Sequence, residues 1–298
     1  MTTVGIDLGG TWIKGVLMDA ETGEIVRQLY HPTHGSGGQQ AAHWQEAVRQ
    51  TVTDLTGHSQ TPVGAVGLSA PGLPNSHHEC IAYMPGRLAG LEDFHWGQFL
   101  NRPVRVINDA NAALLAESRF GVAKGVDNVL MLTLGTGVGG GLLINGKLHQ
   151  GRGQKAGHLG HISVDAGGDR DIMNLPGSLE DAIGNATIEK RSLGRFTSTY
   201  ELLEAYKAGD HFARWVWLSS VQKLAVGLSS LINCFSPDLV VLGGGITQAE
   251  ADLLDPLNDF MALYEWRPGG TATAIQIARF GDMAGAIGAA SFALEATA

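Results

Sequence analysis

The amino-acid sequence predicts an α/β protein made of two lobes, each built around its own sheet. Two glycine turns support this, Asp7-Leu8-Gly9-Gly10-Thr11 near the start and Leu134 to Gly141 near the middle. Each turn lies between apolar runs that are typical of β-strands. Only glycine lets a backbone turn tightly and bring successive N–H groups against a phosphate. A unit of strand, turn and strand that occurs twice therefore indicates two lobes that grip one nucleotide.

Length, composition and charge agree with two lobes and with small-molecule partners. The 298 residues exceed one typical domain, and a hydrophobic fraction of 44% is enough for two cores. The net charge of -9 gives no field that would attract nucleic acid or an anionic membrane. Cys80 and Cys234 are too few for a disulfide framework, which favours a reducing cytoplasm. We expect neither a signal peptide nor a membrane-spanning segment.

The first lobe is predicted to open with a β-meander. The expected strands are Val4 to Ile6, Ile13 to Met18 and Glu24 to Tyr30. Apolar residues from Trp44 to Leu55 recur at helical spacing, and the run Val63 to Leu68 predicts a buried strand. A short strand, Val104 to Ile107, leads to Asn108 and Asp109. These two residues are expected to cap an alanine-rich helix that extends to about Phe120.

The second lobe is predicted to repeat this opening. Val129 to Leu134, the glycine turn and Gly141 to Ile144 form a strand, turn and strand that reach the hairpin signal Asn145-Gly146. A long helix is expected from Phe212 to Phe235, because apolar residues recur along it at helical spacing. The strand Leu239 to Leu242 then ends in three glycines, so a strand, a glycine turn and a following helix are expected a third time.

Taken together, these segments resemble the ROK family of sugar kinases, within the actin, sugar kinase and Hsp70 superfamily. The matching motifs are, in order, Asp7 to Thr11, Ser69-Ala70-Pro71-Gly72, Asn108-Asp109-Ala110-Asn111-Ala112, Leu134 to Gly141, Ala156-Gly157-His158-Leu159-Gly160-His161, Ser178-Leu179-Glu180 and Leu242-Gly243-Gly244-Gly245. The resemblance covers essentially the whole chain. It implies a two-lobed actin-like (ribonuclease H-like) ATPase fold with a cleft that closes over a sugar. It also implies transfer of the γ-phosphoryl group of ATP to a sugar hydroxyl, most often the 6-hydroxyl of a hexose or N-acylhexosamine.

The resemblance further implies a division of the chain into domains. The last segment, Gly281 to Ala290, is similar to the closing helix of the family, which returns to the first lobe. The N-terminal small lobe, with the first phosphate turn, is then expected to comprise residues 1–112 plus about 283–298. The C-terminal large lobe, residues 113–282, is expected to carry the second phosphate turn, further sugar contacts, and the glycines Gly243-Gly244-Gly245, which resemble the adenosine motif of the family.

Asp109 is predicted to be the catalytic base. A sugar hydroxyl is a poor nucleophile until a positioned carboxylate accepts its proton, and Asp109 matches the base of the family. Read without the resemblance, Asn108 and Asp109 could equally be no more than a helix cap. Asn108 is also expected to contact the sugar, because a carboxamide both donates and accepts hydrogen bonds. Gly72 is assigned to the same sugar site.

The glycine turns are predicted to bind ATP. Asp7 is expected to hold Mg²⁺ directly or through water. The predicted ATP contacts are Gly9, Gly10, Thr11, Gly135, Thr136, Gly137, Gly243, Gly244 and Gly245. The first turn alone would fit a plain hairpin, and the three final glycines alone would fit a flexible loop. Trp12 stands where most relatives have Lys or Asn and cannot donate to a phosphate as Lys does, while Lys14 follows two positions on.

His161 matches a family histidine that contacts the sugar and, in most members, also binds a structural zinc ion with three cysteines. The corresponding loop, residues 165–177, contains no cysteine, so we expect no zinc. Hydrogen bonds among Asp169, Arg170 and Asp171 are one expected source of order in this loop. Solvated loop charges are the alternative, just as His161 itself could be an ordinary core histidine.

His158 is the departure from the family that bears most on the substrate. The family usually has Glu there, which only accepts hydrogen bonds, whereas a neutral imidazole has one donor and one acceptor. The pattern Gly-His-x-Gly-His is similar to that of some bacterial N-acetylmannosamine kinases. Glu180 matches a second sugar-binding glutamate, with a plain helix-start charge as the alternative. The family usually has Asn before Leu-Pro-Gly. In this sequence the corresponding stretch is Tyr83-Met84-Pro85-Gly86, so that Asn is missing.

The sequence therefore leaves three classes of function to be considered. The first is an ATP-dependent kinase for a hexose such as glucose or for an amino sugar such as N-acetylmannosamine. The second is a non-catalytic sugar-binding or regulatory ROK protein, and the third a DNA-binding repressor, which is disfavoured because the chain begins at the first strand and lacks a basic patch. Since family members are commonly dimers, a cytoplasmic homodimer is expected.

Overall fold

The computed structural model describes residues 1–33, 43–59, 62–84 and 88–295, which form two compact units. The first unit contains Met1–Gly125, Leu148–Ala156 and Arg279–Ala298, and the second contains Val126–Lys147 and Gly157–Ala278. Pro85 and Gly86, part of the segment that departs from the family pattern, lie outside the described residues. No helix in the described ranges is both long and apolar enough to cross a membrane.

The first unit opens with a β-meander, as predicted. Its elements are β1 (Thr2–Leu8), β2 (Trp12–Asp19), β3 (Ile25–Pro32), α1 (His43–Thr56), β4 (Val63–Ala70), β5 (Leu73–Pro74), β6 (Ile81–Tyr83), α2 (Trp96–Leu100), β7 (Val104–Asn108) and α3 (Asp109–Phe120). In the described residues, five strands form a sheet in the order β3-β2-β1-β4-β7. The β1, β4 and β7 strands are parallel, and the meander strands are antiparallel. Val4, Ile6 and Leu8 are fully buried, as expected for a central strand.

The second unit repeats this sheet with further helices. Its elements are β8 (Val129–Leu134), β9 (Val138–Ile144), β10 (Lys147–Leu148, whose second residue is counted with the first unit), α4 (Leu179–Ile183), α5 (Ile188–Arg191), α6 (Thr199–Lys207), α7 (His211–Phe235), β11 (Leu239–Gly243), α8 (Ala251–Tyr264) and β12 (Ala274–Ile277). The strand order is β10-β9-β8-β11-β12, with β8 antiparallel to β9 and parallel to β11. Position by position, this matches the order in the first sheet. The strand and turn unit seen twice in the sequence is therefore a duplicated sheet.

The last helix, α9 (Ala284–Leu294), belongs to the first unit. Its residues from Ala284 to Ala293 are all buried, and they pack on β1, β4 and α3. The packing is close enough that a Cβ on Gly288 would lie 1.7 Å from the carbonyl oxygen of Ala112 in α3. Only glycine fits at this position.

A buried carboxylate fixes the chain just before α9. Glu117 of α3 is fully buried, and its Oε1 accepts hydrogen bonds from the backbone N–H groups of Arg279 (2.7 Å) and Phe280 (3.0 Å). Its Oε2 accepts from the N–H group of Val122 at 3.0 Å. One side chain thus satisfies three backbone donors and ties α3 to the segment that leads into α9.

Candidate active site

The carboxyl ends of β1, β4 and β7 meet at one edge of the first sheet. Strand pairing places Asp7 beside Ser69, and Ala70 beside Asn108. Asp109 is the first residue of α3, follows directly after β7, and is exposed. The predicted site residues Asp7 and Asp109 are thus at the same sheet edge, where ligands bind in many parallel α/β proteins.

Asp7 lies in a polar environment that is partly closed to solvent. Its side chain is 14% exposed, and its Oδ1 accepts a hydrogen bond from the Ser69 hydroxyl at 2.5 Å. Its Oδ2 is 3.6 Å from the Lys14 ammonium group, which also donates to the carbonyl of Asp282 at 2.8 Å. Burial and the neighbouring charge of Asp109 raise the pKa of Asp7, against the opposing effects of Lys14 and Ser69. Asp7 and Asp109 therefore interact electrostatically.

The Asp7 carboxylate fits the kind of Mg²⁺ site in which substrate phosphates supply further ligands. Such sites use one or two carboxylates and retain several waters, so they need no dedicated protein cage. Within the described part of the chain, no three His, Cys, Asp or Glu side chains are grouped so as to hold a metal ion by themselves. Asp7 would then be the protein's contribution to a site completed by the nucleotide.

Asn108 caps α3, as the sequence predicts. Its Oδ1 accepts hydrogen bonds from the backbone N–H groups of Ala110 (3.0 Å) and Asn111 (3.2 Å), and its Nδ2 donates to the carbonyl of Gly72 at 3.1 Å. The residue is 4% exposed. These bonds use three of the positions at which a carboxamide can bind, and they fix Gly72 and the start of α3 together. The predicted contact of Asn108 with a sugar stays a prediction.

The first glycine turn connects β1 to β2. The Gly9 N–H donates to the Trp12 carbonyl at 3.1 Å, and Gly10 and Thr11 are exposed. Buried Thr33 holds the turn through its N–H, which donates to the Thr11 carbonyl at 2.9 Å, and its hydroxyl, which donates to the Gly9 carbonyl at 2.7 Å. The turn therefore keeps a fixed shape while its backbone faces solvent, which suits the binding of a phosphate.

The second glycine turn is tied to Glu180 of α4. The Gly135 N–H donates to the Gly137 carbonyl at 2.9 Å, and the Val138 N–H donates to Glu180 Oε2, also at 2.9 Å. A Cβ on Gly137 would lie 2.2 Å from the same carboxylate oxygen, so this approach requires glycine. Glu180 thus supports the predicted phosphate turn Gly135 to Gly137, while its predicted sugar contact stays a prediction.

The third glycine turn packs against the second. Gly244 follows β11 with a φ of +89°, and a Cβ there would lie 2.3 Å from the carbonyl oxygen of Leu134. Leu134 is the residue directly before the second turn. Gly244 and Gly245 are exposed, and the Thr247 hydroxyl donates to the Gly244 carbonyl at 2.7 Å. Two of the three predicted ATP-binding segments are therefore adjacent within the second unit.

The two predicted sugar-binding histidines lie close together. The short 3₁₀ turn Leu159–His161 places the ring of His161 parallel to that of His158, with centroids 6.4 Å apart and planes at 6°. His161 Nδ1 is 4.0 Å from Asp171 Oδ2. The side chain of His161 is 35% exposed and that of Asp171 is 1% exposed. A carboxylate that was predicted only to order the loop therefore faces the histidine.

The loop before α4 is held by contacts that differ from the expected ones. Asp169 forms an ion pair with Lys190 at 3.5 Å, and the Arg170 guanidinium donates to the carbonyl of Asn174 at 2.7 Å. Asp171 instead binds backbone N–H groups further along the loop. Charged residues thus order the loop, but each does so through a different neighbour rather than through the other two.

Ser69 contacts a predicted site residue, Asp7, but was not itself predicted to belong to the site. Its hydroxyl donates to Asp7 across the pair β1 and β4, whose register is set by the sheet. The available signal was its position at the end of a buried strand, in the motif Ser69-Ala70-Pro71-Gly72. That position becomes informative only when the order of the strands is known.

Comparison with known proteins identifies solved structures with the same fold as this chain and the family to which the chain belongs. The fold is the mixed α/β arrangement of ROK sugar kinases, the actin-like ATPase fold. A glucokinase from Streptomyces griseus, solved in complex with glucose and AMPPNP, superposes with a TM-score of 0.81 at 28% identity and covers 99% of this chain and 100% of its own. The sequence profile of the ROK family matches residues 3–296. This chain therefore belongs to the ROK family.

Two relatives with similar sequences are named for specific sugar kinase activities. A glucokinase from Halalkalibacterium halodurans is 31% identical over 96% of this chain and 92% of its own length. An N-acetylmannosamine kinase from Vibrio cholerae is 34% identical over 85% of this chain and 87% of its own length. Both relatives are named as sugar kinases, one for a hexose and one for an amino sugar.

Proposed function

We propose that this chain is a sugar kinase that transfers the γ-phosphoryl group of ATP to a hydroxyl of a hexose or N-acylhexosamine, most often the 6-hydroxyl. The observation that carries the proposal is the pair Asp7 and Asp109 at one sheet edge, flanked by a glycine turn with exposed backbone. The named activities of the relatives, and the glucose and AMPPNP bound to the Streptomyces griseus enzyme, support this function.

Asp109 is the proposed catalytic base. Its carboxylate accepts the proton of the sugar hydroxyl while that oxygen forms a bond to the γ-phosphorus and the bond to the bridging oxygen of ADP breaks. The position of Asp109 suits this role because its carboxylate is exposed at the start of α3, and Asn108 fixes that helix start. The base is therefore available to substrate and held by buried hydrogen bonds behind it.

Asp7 is the proposed protein ligand of Mg²⁺. When bound, the ion neutralises charge on the phosphate oxygens of the nucleotide. Ser69 and Lys14 contact the Asp7 carboxylate and keep it in place. The other site residues at this edge are assigned by the same proposal: Gly9, Gly10 and Thr11 to phosphate, and Gly72 and Asn108 to the sugar.

The second unit supplies further contacts in the proposal. Gly135, Thr136 and Gly137 bind phosphate oxygens, and the exposed backbone of Gly244 and Gly245 with Gly243 accommodates the nucleoside. His158, His161 and Glu180 are assigned to hydroxyl groups of the sugar. Because His158 can donate as well as accept, an amino sugar such as N-acetylmannosamine is the alternative substrate to glucose.

A coupled assay for ADP release tests the proposal. The panel should include glucose, mannose, fructose, allose, N-acetylglucosamine and N-acetylmannosamine, with ATP and Mg²⁺. Sugar-dependent ADP release is the expected result, and no release with any sugar would favour a non-catalytic ROK protein. A parallel light-scattering measurement tests the proposed homodimer.

The variant Asp109→Asn tests the base. Since general-base catalysis contributes about 10²–10⁴-fold, kcat should fall by that factor while the sugar still binds in calorimetry. Asn keeps the size of the side chain and its capacity to accept the 2.8 Å bond from the Ala110 N–H. Unchanged kcat would remove Asp109 from the proposed role. The exposed Asp127→Asn, in the second unit, is the matched control.

A further inference from the structure

The loop before α4 occupies the place of the cysteine-rich zinc loop of most ROK proteins, but its residues do not fit a zinc site. Residues 165–177 contain no cysteine. Among the described residues no group of three metal-ligating side chains occurs, and the carboxylate that faces His161 already accepts two backbone hydrogen bonds. Zinc requires four ligands in a structural site. These residues give His161 a carboxylate neighbour, Asp171, rather than a set of zinc ligands.

Asp171 is held rigidly beside His161. Its Oδ1 accepts hydrogen bonds from the N–H groups of Met173 (2.9 Å) and Leu175 (2.8 Å), and its backbone N–H donates to the Leu175 carbonyl at 2.9 Å. Burial raises the pKa of Asp171, but the Ser178 hydroxyl, these two amides and His161 outweigh it, so that the pKa is lowered. The side chain is therefore an ionised acceptor in a fixed position.

Two buried atoms face each other across this contact. His161 Nδ1 and Asp171 Oδ2 are both buried. The Ser178 hydroxyl lies near the Asp171 carboxylate, but among the described residues neither of the two atoms has a partner that meets hydrogen-bond geometry. They are 4.0 Å apart, about 1 Å more than a normal hydrogen bond. A buried donor and a buried acceptor left unpaired each cost free energy, so a small rotation of the imidazole that joins them is favourable.

We propose that Asp171 is the positioning residue of His161, through a buried hydrogen bond from Nδ1–H to Oδ2. This bond fixes the tautomer, so that Nε2 carries no proton and accepts a hydrogen bond from a hydroxyl. Because Nδ1 is buried, the exposed third of the His161 side chain comes from its other atoms, which include Nε2. The loop carboxylate thus orients the imidazole as a metal ion would. The inference rests on the proposed function, in which His161 binds the sugar.

The variant Asp171→Asn tests this directly. Its amide oxygen can still accept the bonds from Met173 and Leu175, while its NH₂ group would face His161 and force Nδ1 to act as an acceptor. The variant therefore exchanges donor and acceptor in the contact with His161 but keeps the hydrogen bonds that hold the loop. We expect KM for the sugar to rise about tenfold or more, with kcat and KM for ATP little changed, since loss of such outer contacts commonly costs 10–100-fold.

Two controls separate positioning from loop stability. Asp169→Asn removes the same charge from an exposed site of the same loop and should change KM for the sugar less than about twofold. In a His161→Gln background, Asp171→Asn should have no further effect on KM, because the two residues act as one unit. An unchanged KM in the single variant, or an equal factor in both backgrounds, would overturn the inference.

Two measurements keep the inference testable even if no sugar is phosphorylated. In ¹⁵N spectra, His161 of the wild type should show the Nδ1–H tautomer, and Asp171→Asn should shift it to the Nε2–H form. The His161→Gln variant identifies the signal. Metal analysis of the purified protein should give no zinc, and one zinc per chain would overturn the inference. Failure of the ADP assay alone would remove the proposed function and leave the tautomer result valid.

Discussion

At the scale of single residues, three buried carboxylates accept hydrogen bonds from the backbone. Glu117, Asp171 and Glu265 each bind backbone N–H groups, and none was predicted as a site residue. The side chain of Glu265 is 2% exposed, its Oε1 accepts from the Thr273 N–H at 2.8 Å, and its Oε2 accepts from the Arg267 guanidinium at 2.7 Å. Burial raises the pKa of Glu265, but these bonds outweigh it and the pKa is lowered.

Glu265 should therefore contribute to stability in a pH-dependent way. Because its pKa is lower in the folded than in the unfolded state, the contribution is fully present above the unfolded value of about 4.5 and is lost as pH falls below it. Glu265→Gln should lower the free energy of unfolding at pH 7 by about 1–3 kcal/mol and flatten its decline between pH 5 and 3.

Denaturant titrations at several pH values measure this effect. The control is Glu204→Gln, which changes an exposed glutamate of the same unit and should shift the unfolding free energy by less than about 0.5 kcal/mol. If the unfolding free energies of the wild type and of Glu265→Gln differed by the same amount at every pH, ionisation of Glu265 would not be involved.

At the scale of elements, close packing of α9 limits what its sequence can be. A Cβ at Gly288 would meet the Ala112 backbone oxygen at 1.7 Å, and a backbone atom cannot move aside as the end of a side chain can. Gly288→Ala should lower the free energy of unfolding by about 1–3 kcal/mol or more, although alanine is the better helix former. Thermal unfolding of the variant and of the wild type measures this loss of stability.

The control for α9 is a helical glycine without this contact. A Cβ at Gly97 in α2 would meet its nearest neighbour, the Arg102 carbonyl oxygen, only at 3.4 Å. Gly97→Ala should therefore be neutral or slightly stabilising. If Gly288→Ala behaves in the same way, α3 and α9 have room to separate and the packing argument fails.

The elements also show what the sequence can and cannot predict. The strands beside the glycine turns were predicted because their signal is local, a β-type apolar run that ends in glycine. A helix was expected after the third glycine turn, and α8 lies there. Its bounds were not predicted, and it carries Pro256 in its interior, which usually marks a helix boundary. The bond between Ser69 and Asp7, and that between Glu180 and Val138, join residues 62 and 42 positions apart, so no local pattern contains them.

At the scale of the whole molecule, binding of substrates should stabilise the folded chain. A ligand that binds only the folded state at 100 times its Kd adds about 2.7 kcal/mol to the free energy of unfolding. We expect both AMPPNP with Mg²⁺ and the preferred sugar to raise the unfolding temperature, and Asp109→Asn to retain both shifts. Differential scanning calorimetry measures them. If the nucleotide raised the unfolding temperature and no sugar of the panel did so, this result would contradict the proposed sugar site.

The position of α9 in the chain has a consequence for synthesis on the ribosome. The first unit receives its last helix from residues 284–294, and the hydrogen-bond partners of Glu117 are at 279 and 280, so this unit stays incomplete until these residues have been synthesised. Residues 157–278 of the second unit emerge earlier and can pack before the chain is released. Until residues 284–294 have emerged, the nascent first unit therefore exposes the apolar surface of β1 and β4 that α9 later covers, and such exposed surface favours aggregation.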